Sequence, residues 1–140
     1  MSKVAVVYWS GTGHTESMAN AVLDGAKSAG ADAVLYQVSE FTPDKIADYD
    51  AIAFGCPAMG SEELEDSEFE PVFSACLPNL AGKKVALFGS YDWGDGEWLR
   101  TWEDTCRDAG ITLAAESVKC NNDPDADGLK ECAELGKAIA

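Results

Sequence analysis

Apolar residues follow one another along this chain in two alternating rhythms. Short, near-continuous apolar runs stand at residues 4–8, 33–36, 51–54 and 85–88, with a more mixed run at 113–118. Between them, apolar residues recur every three or four positions. Met18, Ala19, Val22, Leu23 and Ala26 make one such stripe, and Trp98, Leu99, Trp102, Cys106 and Ala109 make another. Each stripe ends at a glycine, Gly30 and Gly110. Continuous runs predict strands buried on both faces, and the stripes predict amphipathic helices closed by glycine. Shorter helices are predicted over 43–49 and 71–77, and a last one over 129–139. Strand and helix alternate throughout, which predicts an α/β fold: a doubly wound, five-stranded parallel sheet. There are no repeats, linkers or low-complexity tracts, so a single domain over residues 1–140 is expected.

In open sheets of this class, ligands sit beyond the carboxyl ends of the strands, where the winding direction reverses. That directs attention to three loops, at 10–15, 55–62 and 90–97. The first reads Ser10-Gly11-Thr12-Gly13-His14-Thr15. The loop of nucleotide hydrolases needs a lysine after its last glycine, and here His14 follows Gly13. The dinucleotide fingerprint needs a third glycine, and Glu16 stands there instead. What remains is a helix start with free backbone N–H groups and three hydroxyls, a seat for phosphate. The plainer reading, a glycine-rich turn with hydroxyl caps, is the weaker one. None of the three loops contains lysine or arginine. A phosphate held only by neutral donors keeps its charge, which suits the monophosphate of a tightly held cofactor.

The second loop carries Cys56-Pro57-Ala58-Met59-Gly60, then six acids within nine residues: Glu62, Glu63, Glu65, Asp66, Glu68 and Glu70. Methionine is usually core, but the carboxyl end of a strand is a poor place for core. The acids read as a solvated helix start favoured by the helix dipole. No histidine accompanies them, so no metal site is expected. In the third loop, Ser90-Tyr91-Asp92-Trp93-Gly94, Trp93 stands in a polar turn, whereas Trp98 and Trp102 belong to the core stripe. A large aromatic in such a turn calls for a flat partner. A methionine on one side, a tryptophan on the other and a neutral phosphate seat together predict flavin mononucleotide (FMN).

Charge narrows the partners. Ten basic residues against twenty-five acidic ones give a net charge of −15. That field repels nucleic acid and anionic membranes and attracts a basic surface. The five cysteines include no Cys-x-x-Cys pair, which argues against zinc and iron–sulfur sites and for reduced thiols packed as small hydrophobes. The first apolar run is too short for a signal peptide and no stretch is long enough for a membrane span, so a cytoplasmic location is expected.

The stretches YWSGTGHTE, GCPAMGSEELEDSEFEP and KKVALFGSYDWGDGEW together resemble the short-chain flavodoxins of anaerobic bacteria. The resemblance implies the flavodoxin-like strand order 2-1-3-4-5 and a monomeric carrier without turnover of its own. Such a carrier shuttles single electrons at low potential between redox proteins. It also implies roles. Ser10, Thr12 and Thr15, with the N–H groups of Gly11, Gly13 and His14, hold the phosphate. Met59 and Trp93 cover the two ring faces, and Pro57 and Ala58 flank Met59. Glu62 accepts the flavin N3 hydrogen, and the peptide at Gly60 turns over to meet a protonated N5. The backbone from Ser90 through Tyr91, Asp92 and Trp93 to Gly94 faces the pyrimidine edge. Two positions depart from the family pattern: His14 replaces an asparagine, and Asp92 a glycine. An NAD(P)H-dependent quinone or FMN reductase of the same fold is the alternative. It needs open space over the ring and a cation for the nicotinamide nucleotide, and the three loops contain no arginine. A response-regulator domain is excluded, because Trp9-Ser10 and Gly55-Cys56 stand where its acids belong.

Overall fold

In the computed structural model, which describes residues 2–11, 13–59, 63–91, 96–121 and 124–140, five parallel strands share one sheet. They are β1 (Lys3–Tyr8), β2 (Asp32–Gln37), β3 (Ala51–Gly55), β4 (Lys84–Tyr91) and β5 (Val118–Asn121). Their order is β2-β1-β3-β4-β5, as the resemblance implies. The helices are α1 (His14–Ser28), α2 (Phe69–Cys76), α3 (Glu97–Asp108) and α4 (Ala126–Ile139). The segment expected as a helix over 43–49 is a 3₁₀ helix, Pro43–Asp48, opened by its proline.

The alternation of side chains sorts the strands into two unequal cores. One face of the sheet receives Ala5, Val7, Ile52, Phe54, Val85 and Leu87, packed under α2 and α3. Phe54, Phe69, Phe73 and Trp102 meet there edge to face or stacked, at centroid distances of 5.1–6.4 Å. The other face receives Val4, Val6, Ala51, Ala53, Ala86 and Phe88, packed under α1 and α4. Its smaller residues let the helices lie close, and the two helices also lie close to each other. A Cβ on Gly25 would collide with the backbone carbonyl of Ala133, and one on Gly136 with that of Val22. The tryptophans read as core, Trp98 and Trp102, are 1% and 2% exposed.

The fifth strand departs from the expectation of 113–118. Leu113 makes one isolated parallel bridge to Val85, and Ala114 donates its N–H to the Val85 carbonyl at 2.8 Å. The chain then bends at Ala114 and Ala115, and pairing with β4 resumes only at Val118, opposite Phe88. Ala114, Ala115 and Glu116 have low strand propensity, whereas Val118 and Cys120 alternate inward with exposed Lys119 and Asn121. The period-two signal of a half-buried edge strand lies in that second segment.

Gly136→Ala is expected to destabilise the fold by about 1–3 kcal/mol, because α1 and α4 must separate to admit the methyl group. The urea unfolding midpoint measures this. An unchanged midpoint would show that the two backbones do not require the contact.

Candidate functional site

The first loop leaves β1 at Tyr8 and opens α1 at His14. Gly13 caps that helix with a φ of 94°, a left-handed conformation that glycine adopts without strain, and no side chain caps the helix start. The Gly13 N–H bonds back to the Ser10 hydroxyl at 3.0 Å. The first-turn N–H groups therefore face the end of the sheet without a side-chain cap, as an anion seat requires. Thr15 is 1% exposed, and its hydroxyl shares a 2.9 Å hydrogen bond with that of Ser90. That bond ties the first loop to the third. Thr12 lies outside the described residues.

The second loop is fastened at several points. The Cys56 carbonyl accepts the indole N–H of Trp98 at 3.2 Å, and the Cys56 N–H donates to the Phe88 carbonyl. Ala58 donates to the Ser90 carbonyl at 2.9 Å, which joins second and third loops. Met59 and Glu63 exchange two backbone hydrogen bonds of 2.8 and 2.9 Å as an isolated antiparallel bridge. Gly60 and Glu62 lie outside the described residues. Beyond the bridge, Glu65 is almost buried, and its carboxylate accepts the backbone N–H groups of Ser67, Glu68 and Phe69 at 2.7–2.9 Å. Burial alone would raise this carboxyl. The three donors outweigh burial, and its pKa lies below the ordinary glutamate value. The remaining described acids of the cluster, Glu63, Asp66, Glu68 and Glu70, are exposed as a solvated face.

These loops enclose a crevice of about 240 Å³ at the carboxyl ends of β1, β3 and β4, lined by Trp9, Gly11, His14, Met59, Ser90 and Tyr91, with Pro57 and Ala58. Met59 is 37% exposed, one of two large apolar side chains left so open among the described residues. A larger groove of about 550 Å³ lies between β5 and α4, far along the sheet from the winding reversal between β1 and β3. The small crevice is the better candidate, because backbone donors and an exposed apolar wall converge there. In the third loop, Ser90 and Tyr91 line the crevice, and Asp92, Trp93 and Gly94 lie outside the described residues.

Trp9 is a wall of this crevice that the sequence reading missed. Its ring lies 3.0 Å from where a Cβ on Gly11 would stand, and its indole N–H reaches Glu68 at 3.4 Å. The available signal was its position directly after β1, where an aromatic residue cannot be sheet core. Among the described residues, no group of acids, cysteines and histidine is placed to hold a metal ion, and no helix is long and apolar enough to cross a membrane.

A doubly wound sheet with an uncapped, cation-free helix start and an apolar wall at its switch point defines a binder of a flat, phosphorylated cofactor. The profile of one family, described as flavodoxin, matches residues 6–136. A flavodoxin of Megasphaera elsdenii is 50% identical over 137 residues, 98% of each chain, and one of Clostridium beijerinckii is 43% identical over 135 residues, 96% of this chain and 97% of that one. The solution structure of two-electron reduced Megasphaera elsdenii flavodoxin superposes with a TM-score of 0.90 at 49% identity, covering 97% of both chains. The chain belongs to the flavodoxin family. It is an FMN-binding electron carrier and not an enzyme.

Glu65→Gln is expected to cost about 1–3 kcal/mol at neutral pH, since one carboxamide oxygen cannot serve three N–H donors. The carboxylate's folded pKa is depressed, so its stabilisation is fully present above the unfolded value of about 4.3 and is lost as pH falls through the folded value. Urea midpoints of parent and variant should therefore differ at pH 7 and converge in acid. A gap independent of pH would show that the carboxylate charge is not what holds the turn.

Proposed function

We propose that the protein is a low-potential, one-electron carrier, acting as a cytoplasmic monomer built from one domain over residues 1–140. The observation that carries this reading is the combination of an uncapped α1 start with three loops that contain no cation. The phosphate of FMN is held by Ser10, Thr12 and Thr15 and by the backbone N–H groups of Gly11, Gly13 and His14. Met59 packs on one ring face and Trp93 on the other, with Pro57 and Ala58 supporting Met59. Glu62 would accept from N3, the Gly60 peptide would offer its carbonyl to N5, and the backbone of Ser90, Tyr91, Asp92, Trp93 and Gly94 would meet the pyrimidine edge. When bound, FMN supplies the chemistry of accepting and releasing electrons one at a time. The protein supplies the seat, the cover and the field.

The field sets the direction of the potential. With FMN bound, an added charge would meet the phosphate and, on this reading, the acids Asp92, Asp95 and those of 62–70. One like charge at about 10 Å in an effective dielectric of about 20 opposes the added charge by roughly 1.7 kcal/mol. For a single electron that is roughly 70 mV before screening. A cation in the first loop would cancel this effect. The reductase alternative is weaker, because no arginine in these loops is available to seat a nicotinamide nucleotide.

Stepwise dithionite reduction followed by absorbance tests the reading. One flavin per chain and two separate one-electron steps are expected. Asp92→Asn should raise the second midpoint by roughly tens of millivolts, more at low salt. Gly60→Thr should narrow the gap between the steps, because a β-branched residue resists the change of φ sign. Two steps that merge in the parent protein, or variants that move neither midpoint, would remove these residues from the roles assigned. Steady-state oxidation of NADH by the purified protein would favour the reductase.

The partner surface is basic. Electron transfer to a basic redox protein should slow as salt rises toward physiological strength, where the Debye length is roughly 8 Å. Rates that stay flat across that range would contradict electrostatic docking.

A further inference from the structure

Where the second loop runs into α2, a cleft of about 310 Å³ lies between α2 and α3. Its walls are apolar, with Leu64, Phe73 and Leu77 facing Trp98 and Trp102. Its charged residues are all acids, Glu63, Asp66 and Glu70, and no lysine, arginine or histidine lines it among the described residues. The Ser74 hydroxyl donates to Glu70 at 2.6 Å and holds that carboxylate beside the cleft.

The fold leaves this cleft unfinished. Leu64 and Leu77 stay half-buried against Phe73, Trp98 and Trp102, which are 1–3% exposed. The indole N–H of Trp102 is the one buried side-chain nitrogen or oxygen without a partner among the described residues. The cleft also shares parts with the crevice. Trp98 donates to the Cys56 carbonyl at the base of the second loop, and Glu63 is bridged through its backbone to Met59, which lines the crevice. A body seated between α2 and α3 therefore stands beside the crevice and leaves it open.

Two properties choose the occupant. The open apolar walls favour an apolar side chain, and three acids without a base favour positive charge around it. A second copy of this chain, itself at −15, is repelled.

We propose that this cleft anchors a basic redox partner, which inserts one apolar side chain between α2 and α3 and sets lysines or arginines against Glu63, Asp66 and Glu70. The inference rests on the carrier reading above and adds a register to it. Attraction spread over many surface acids brings a basic protein near in many orientations, whereas a single apolar socket selects one, next to Met59.

The test uses the FMN-loaded, isotope-labelled protein and two capped peptides, Lys-Lys-Leu-Lys-Lys and Lys-Lys-Ser-Lys-Lys, equal in charge and different only in the anchor. Nuclear magnetic resonance follows the backbone and indole N–H groups. The leucine peptide should shift those of Leu77, Thr101, Thr105 and the Trp102 indole, and bind roughly tenfold more tightly than the serine peptide. Both should weaken as salt rises, with that ratio kept. Thr101 lines the cleft and is exposed, so Thr101→Phe fills the socket from outside the core and should make the two peptides bind alike. Shifts scattered over the acidic surface, equal affinities in the parent protein, or a preference that survives Thr101→Phe would each overturn the proposal. Stepwise reduction of the flavin tests the carrier reading and does not enter this measurement, so the two can fail separately.

Discussion

The carbonyl of Cys56 is the point on which the crevice is hung. It lies against Gly89, where any Cβ would collide with it, and it accepts the indole N–H of Trp98. Trp98 is itself locked in the aromatic core. The end of β3 is thereby held against β4 more closely than side chains would allow, with Gly55 likewise pressed to the ring of Phe88. From that fixed point the chain can release Pro57, Ala58 and Met59 toward solvent without losing its place. The Cys56 sulfur accepts the N–H of Glu65 from the far side of the loop. The second loop is therefore held at its base and at its return.

The same economy governs charge. In this protein of net charge −15, one carboxylate among the described residues, Glu65, stands almost out of water, and it is given three backbone donors at the start of α2. Its neighbours remain exposed, where self-repulsion is screened. Buried anions are satisfied locally, exposed ones sum to a field, and no lysine or arginine in the three loops interrupts that field. An electron carrier benefits twice from this arrangement. On the function proposed above, the field would resist reduction of the cofactor and draw in a basic partner.

The two faces of the sheet solve different problems. Under α2 and α3, large rings interlock and fix Trp98, hence the crevice floor. Under α1 and α4, small residues and two glycines bring helix backbones together, which sets the angle at which the α1 start meets the crevice. The start of α1 and the base of the second loop are thus packed on opposite cores, and the Thr15–Ser90 hydrogen bond joins the first loop to the third.

Much of this was legible in the chain. Apolar runs and stripes specify the α/β class, because burial on both faces and on one face leave different periods. The unfastened helix start was readable from Ser10, Gly13 and the absence of lysine, since donor chemistry is local. The quoted loops carried the resemblance that supplied the strand order. Other features depended on residues distant in sequence. The fifth strand began where the reading expected it to end, because Leu113 finds a single partner in Val85 and only the β4 register decides where pairing resumes. Trp9 becomes a wall of the crevice only once Gly11 lets its ring fold over. Glu65, one of six similar acids in the sequence, is singled out by the backbone that turns around it. Periodicity and local donor sets are properties of neighbouring residues and survive in the sequence; register, close approach and the burial of one acid among six are decided by segments that meet only when the chain has folded.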